Sequence, residues 1–493
     1  MRDALALAED VVDRAAVVDV LEAALGTGAR ERQLRVRTLL VGLLLAIADD
    51  RPAQLTRVHR ALLALTGPER DRLGVRVAWP GGPHELTYRQ VEYTFARVVG
   101  TLAKAEPDGE PSDALRAVLD ALLDASIPPR YQGASRSLAV DWSDLETFAR
   151  PPRRGDAGAD REASWGHRNA GVAKEDLFFG YYLSTAVVVH DEGADAVPEL
   201  TRRALVTSCA IDPVRAFTPS LTALATSGVP LGDVLADAGY AHRRAEHFAL
   251  PLRRAGASLV IDVHPQDRGP HGTFAGAIAS NGNLYCPATP PALLALAPLA
   301  RHVSSEEIAR HDALSAELAH YKFAPLSAED PDGYRRVVCP AVAATVRCAR
   351  RVASLDLAYD RPAVGVAPDP APRCCCQRSV TVPPEVNAKT RQKHDYPSAA
   401  HRRSYQRRTA VERSYATIKD PASTDITRGW CRVTGVAAIT LLVACALVIR
   451  NERIVAAFEE RHKHDARELA PGAAPRRRKR RRRTLDSLIA AAN

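Results

Sequence analysis

Apolar residues recur at helical spacing through the first quarter of the chain. Leu34, Leu39, Leu40, Leu43, Leu44 and Leu45 form one block. Val91, Phe95, Val98, Val99 and Leu102 form a second, inside a helix predicted from Thr87 to Ala105 with Thr87 as its N-cap. Residues 1–125 therefore read as mostly helical. The texture changes at Ser137 to Asp141 (SLAVD), where a short apolar run predicts a strand that ends on a carboxylate. A polar loop, Arg150 to Lys174, separates it from a long β-rich run, Leu177 to His190. Further strands are predicted at Ala204 to Ile211, Asp233 to Asp237 and Ser258 to Val263. A short helix, Ser220 to Ser227, and a longer one, Ala241 to Arg254, alternate with them. This order predicts an α/β fold with a mixed sheet flanked by helices.

Residues 265–395 break the pattern with Pro, Gly and short apolar pieces, and read as an inserted, Cys-containing, β-rich subdomain. A helix resumes near His401 and runs toward Lys419, followed by an Ala-rich helix and a charged helix ending near His464. The expected organisation is a helical domain at 1–130, a sheet domain at 131–264 resumed at 396–464, the insertion at 265–395, and a low-complexity, disordered tail at 465–493.

Charge refines this picture. The 493 residues carry 67 Lys+Arg against 58 Asp+Glu, a formal +9, which hints at a polyanion. The run Arg476 to Arg483 (RRRKRRRR) holds nearly all of the excess, so any polyanion site in the body must be a local patch. His394, His401, Arg402, Arg403, Arg407 and Arg408 supply such a patch, suited either to phosphate or to pairing with acids elsewhere in the fold. The basic tail suits nonspecific DNA binding, or is drift at the end of a reading frame. Nine cysteines, three of them adjacent, suit a reduced intracellular protein better than a disulfide framework. The first twenty residues lack a signal-peptide core, since acids interrupt every apolar stretch. Val433 to Ile449 is uncharged but short for a bilayer and Ala-rich, so it reads as a buried helix, with no membrane partner.

The most informative segment is SYQRRTAVERSYATIKD. On a helix, Tyr405, Arg408, Glu412 and Lys419 fall within roughly 60° of arc. Val411, Tyr415 and Ile418 fall on an adjacent stripe that can pack into a core. Taken alone, the stripe is a solvated face with i, i+4 ion pairing. Its spacing, Tyr-x2-Arg-x3-Glu-x6-Lys, also resembles the signature of the YREK subgroup of bacterial insertion-sequence transposases, members of the DDE superfamily.

That resemblance covers roughly residues 135–455. It implies an RNase H-like sheet with a β-rich insertion before the last catalytic helix. It also implies a catalytic, Mg²⁺-binding triad of Asp141 on the first strand, Asp237 after the fourth and Glu412 on the helix. The block around Asp237, DVLADAGYAHR, looks like the family's Asp-x-Gly-Tyr element. Two Mg²⁺ ions, replaceable by Mn²⁺, would activate the attacking oxygen and stabilise the leaving one. Tyr405, Arg408, Lys419, Arg402, Arg403 and Arg407 would hold DNA. The implied activity is cut-and-paste DNA transposition, with strand cleavage at the inverted-repeat ends of a mobile element and 3′-OH transfer into target DNA. The implied setting is a homodimer on double-stranded DNA in a bacterial cytoplasm, associated with the nucleoid, with residues 1–130 binding the ends. The sequence departs from the family at Trp142, where Ser or Thr usually follows the first Asp. Asp144 and Glu146 are therefore rivals for the first carboxylate, and Asp233 and Asp262 for the second. The departure also leaves open an inactive, transposase-derived DNA-binding protein.

Two weaker features remain. Cys286, Cys339, Cys348 and Cys375 in the insertion are the set that could close a Zn²⁺ site, against a reading as buried reduced thiols. Trp165, Gly166, His167 and Arg168, placed in the loop after the first strand, suit either base stacking or an anchored surface loop.

Overall fold

A computed structural model of the protein describes residues 4–26, 34–75, 77–79, 82–103, 110–153, 156, 158–168, 176–228, 230–300, 302–365 and 369–468. The tail from residue 469, with Arg476 to Arg483, lies outside the described residues.

The chain opens with helices α1 (Ala4–Ala15), α2 (Val17–Leu25), α3 (Val36–Ala48), α4 (Leu55–Leu63), α5 (Tyr88–Leu102) and α6 (Asp113–Ser126). Thr87 is the N-cap of α5, and its amide donates to Gln90 Oε1 at 2.7 Å, one arm of a capping box. Leu39, Leu40, Leu43, Leu44 and Leu45 of the leucine block lie on α3, with Leu34 just before it, and all but Leu45 are buried.

The central sheet is built from β1 (Ser137–Glu146), β2 (Ser164–His167), β3 (Leu177–Val189), β4 (Thr201–Ser208), β5 (Asp233–Ala236) and β6 (Ser258–Ile261). Spatially, β3 lies beside β1, β1 beside β5 and β5 beside β6, while β2 and β4 both pair with β3. The β1–β3 and β3–β4 ladders are antiparallel, and β1–β5 and β5–β6 are parallel. Strand alternation sends Leu138 and Val140 to one face and Ala139 and Leu145 to the other. The first face is covered by α7 (Pro213–Thr226), the short α8 (Ala238–Ala241) and α9 (Ala249–Arg254).

The second face has a larger cover. The helices before residue 130 share one apolar core with this face, with α12 (Thr409–Ile418) and with α13 (Val436–Glu468). The change near residue 130 is thus one of secondary structure, without a gap in the core. The Ala-rich and charged segments form one 33-residue helix, α13, whose residues 437–451 are buried. Asn451, fully buried, ties the parts together. Its Nδ2 donates to Ser126 Oγ of α6 at 2.8 Å and to the Thr201 carbonyl of β4 at 2.9 Å, and its Oδ1 accepts from the Thr201 amide at 2.8 Å. Among the described residues, no helix is long and apolar enough to cross a membrane.

Several expected boundaries move. The first strand runs on to Glu146, because its whole length pairs with β3. The helix expected at Ser220 begins at Pro213, where Asp212 caps it by accepting from the Val214 amide at 3.0 Å. The helix expected from Ala241 to Arg254 divides into α8, a 3₁₀ turn (Ala245–His247) and α9. Trp165, Gly166 and His167 are in strand β2 on β3, not in a loop.

The insertion holds two small antiparallel sheets. One comprises β7 (Pro270–Phe274), β8 (Ala277–Ser280) and β9 (Asn283–Tyr285); the other, β10 (Ala324–Pro325), β11 (Arg335–Val338) and β12 (Val380–Val382). A 16-residue helix, α10 (Ser305–His320), lies between them in the chain and was not anticipated. After the insertion, α11 (Ala399–Tyr405) leads through a 3₁₀ turn, Gln406–Arg408, into α12. The single helix expected here is thus tightened in its middle, where the Ser404 carbonyl accepts Arg407 Nε at 3.0 Å.

Candidate active site

Asp141 lies midway along β1, on the same face as Ala139 and towards α12. Its backbone carbonyl accepts from the Tyr415 hydroxyl at 2.9 Å, and that hydroxyl sits 2.8 Å from the Leu183 carbonyl and 2.9 Å from Thr185 Oγ1 on β3. Tyr415 thus pins α12 to the two central strands. Asp237 follows β5 directly and caps α8, accepting from the amides of Gly239 at 2.9 Å and Tyr240 at 3.3 Å. Gly239 is needed there: a Cβ would stand 2.5 Å from Trp142 Cη2 and 3.1 Å from Asp237 Oδ1. Trp142 fills this space on the opposite side of β1 from Asp141 and packs against Tyr240, with ring centroids 4.9 Å apart.

Arg408 joins the three carboxylates. Its Nη2 is 3.1 Å from Asp141 Oδ2 and 3.5 Å from Asp237 Oδ2, and its Nη1 donates to Glu412. The arginine is largely buried, whereas Glu412 is 55% exposed, so the cluster opens to solvent on the Glu412 side. Burial pushes the Asp141 carboxyl up to about 7; Arg408 opposes this, and Asp237 and Glu412 add to it. Burial alone would lower the Arg408 pKa, but Tyr405, Asp141, Asp237 and Glu412 together raise it above its ordinary value. Tyr405 lies between His401, whose ring stacks on it at 5.5 Å, and Arg408, 5.9 Å from its centroid.

The rival carboxylates have other partners. Asp144 bonds Lys419 Nζ at 2.8 Å and Arg168 Nε at 3.2 Å; burial raises its pKa, but the two cations outweigh burial and hold it below its usual range. Glu146 also pairs with Arg168. Asp233 is buried between Arg407 at 2.6 Å and Lys393 at 2.9 Å. Asp262 accepts from the Tyr396 hydroxyl at 2.7 Å and lies 3.4 Å from Arg268. Asp141, Asp237 and Glu412 are the three carboxylates gathered on Arg408, whereas Asp144 and Glu146 share Arg168.

The basic patch is largely turned inward. Arg407 is buried on Asp233, Arg402 pairs with Asp312 at 2.6 Å, and His394 meets Glu192 at 2.9 Å. His401 lies beside the Ile261 carbonyl at 2.9 Å, and burial pushes it down to about 4, so it is neutral at pH 7. Arg403 is exposed and forms no ion pair among the described residues. Lys419, held at 2.8 Å by both Ser143 and Asp144, stands at the end of α12 beside β1.

A second group was not anticipated. The rings of His242, after α8, and His264, after β6, lie 4.0 Å apart at a tilt of 32°, and His242 Nδ1 is 3.4 Å from Asp267 Oδ2. Lys389 already pairs with Asp267 at 2.8 Å. These residues follow the ends of β5 and β6, near Asp237 and Asp262, but lie too far apart in the chain for a spacing motif to reveal them. Neither protein-family models nor curated proteins give a match to this chain.

Proposed function

We propose that the protein is a DDE-class DNA transposase that cuts DNA at the ends of a mobile element and joins the freed 3′-OH to target DNA. The observation that carries this reading is the convergence of Asp141, Asp237 and Glu412, from a strand, a strand end and a helix, on one guanidinium. The sheet supports it. The run β4-β3-β1-β5-β6, with the first strand central and the last two parallel to it, follows the plan expected of an RNase H-like domain, with β2 an additional strand on β3.

The donor set fits Mg²⁺. Three hard carboxylate oxygens from separate elements suit an ion that keeps part of its water shell. Asp141, Asp237 and Glu412 would hold it, and when bound it supplies Lewis-acid activation and charge neutralisation for in-line phosphoryl transfer. The chain's own groups do the positioning. The Asp237 carboxylate is fixed by two amides, and the Asp141 backbone by Tyr415. Glu412 stands at the open side, where a phosphate must arrive. Arg408 and Lys419, at the two ends of α12, would place positive charge beside β1 for the DNA backbone, and Arg403 in the neighbouring patch forms no ion pair among the described residues.

A second reading, a transposase-derived protein that binds DNA without cutting it, draws on one contact. Arg408 occupies carboxylate oxygens that a metal would need. The test is cleavage of a labelled duplex carrying the inverted repeat that flanks the gene. Mg²⁺-dependent nicking that is lost in Asp237→Asn and Glu412→Gln, with DNA binding retained, is the expected result. Binding without nicking by the wild-type protein would establish the second reading instead.

A further inference from the structure

We propose that Cys286, Cys339, Cys348 and Cys375 bind one structural Zn²⁺ ion that pins the inserted subdomain. The four residues come from four separate stretches of chain and line a single cavity of about 20 Å³, room for one ion or one water. The cavity sits where two small apolar clusters meet. Cys339 and Cys375 flank the cluster of β8, β11 and β12, and Cys286 flanks the cluster of Tyr285, Leu318 and Tyr321.

Local backbone geometry singles out the same residues. Cys286, Cys339 and Cys348 each open a tight turn closed by an amide three positions on: Thr289 to Cys286 at 3.0 Å, Val342 to Cys339 at 3.0 Å, and Arg351 to Cys348 at 2.8 Å. Pro287 and Pro340 follow the first two directly, helping to turn the chain away from the sulfur. Three cysteines at one position of three similar turns line the same cavity. Within the triplet, Cys374 is buried in the apolar cluster and Cys376 is exposed beside the Ala371 carbonyl, which leaves Cys375 to line the cavity.

Charge is consistent with this. Four thiolates around Zn²⁺ carry a net −2, and Arg350 and Arg351 line the same cavity. Arg351 Nε is buried without a hydrogen-bond partner. The sulfurs stand wider apart than in a filled site: no three of them lie within 4.8 Å of one another, whereas Zn–S bonds of about 2.3 Å set neighbouring sulfurs about 3.8 Å apart. Binding draws the turns together as each thiol gives its proton to solvent. The inference does not depend on the transposase reading.

The test uses the full chain purified under reducing conditions with Zn²⁺ supplied. Elemental analysis should find one zinc per chain, kept in Cys376→Ser and lost in Cys286→Ser/Cys339→Ser. Cobalt in place of zinc in the wild-type protein should show thiolate-to-metal charge transfer and the visible bands of a tetrahedral site, which does not require the variants to fold. A wild-type chain without zinc, a cobalt spectrum without thiolate bands, or zinc retained in the double variant would overturn the proposal.

Discussion

Asp141 gives the sharpest test of how the candidate site is built. Its carboxyl is held near 7, against an ordinary value of 3.8. In the unfolded chain it ionises at the ordinary value, so between these limits the folded state binds the extra proton. Stability therefore falls as pH rises from about 4 to about 7 and is level above that, the reverse of a salt-bridged carboxylate. A gap of about three pK units amounts to about 4 kcal/mol, of which about 2–3 kcal/mol develops between pH 5 and pH 8. Asp141→Asn removes the charge and keeps an oxygen for Arg408. The expected outcome is a variant more stable than wild type by about 1–2 kcal/mol at about pH 5 and by about 4 kcal/mol at about pH 8, a widening of about 2–3 kcal/mol. Urea unfolding in EDTA, with equal m-values, reads this directly. A stability difference independent of pH, or a less stable variant at the higher pH, would refute the reasoning. Under the proposed function the same variant cannot nick DNA, so stability and activity should move in opposite directions.

Other substitutions separate structural from binding roles. Gly239→Ala forces a Cβ against Trp142 and Asp237, and should cost about 1–3 kcal/mol by overpacking, with a change in tryptophan fluorescence. Arg407→Met should cost about 3–5 kcal/mol by leaving Asp233 short of a buried partner, measured by urea midpoint. Arg403→Ala should leave that midpoint unchanged and flatten the salt dependence of DNA binding, because Arg403 forms no ion pair among the described residues.

How far the sequence reveals the molecule depends on the range of the interaction. Alternation at Leu138, Ala139, Val140 and Asp141 is local, and it places the carboxylate on the face where α12 lies. The spacing of Arg408 and Glu412 is local too, and their ion pair forms as spacing predicts. The fate of Arg402 and Arg407 is not local: their partners Asp312 and Asp233 lie about 90 and 174 positions away. A run of cations therefore looks like a surface patch until the fold supplies the acids. Helix α10 was missed for a related reason. Only His311 and Leu318 are buried on it, too thin an apolar stripe for periodicity to register. Strand β2 was hidden because it is a short edge strand whose Trp165 is exposed, within a polar stretch.

The clasp at Asn451 has a consequence for how the chain comes to be folded. During synthesis the N-terminal helices emerge early, and the apolar faces of α3, α5 and α6 that α13 covers emerge with them. That cover, residues 437–451, is made more than 300 positions after Ser126, one of the groups that Asn451 bonds. The N-terminal helices must therefore wait, partly unsheltered, through most of translation. They and the sheet can close only as a late, long-range event, in the regime where large proteins recruit chaperones. A ribosome that stops before α13 releases a chain with its largest core open, so premature termination anywhere upstream should yield aggregation-prone product and not a smaller working protein.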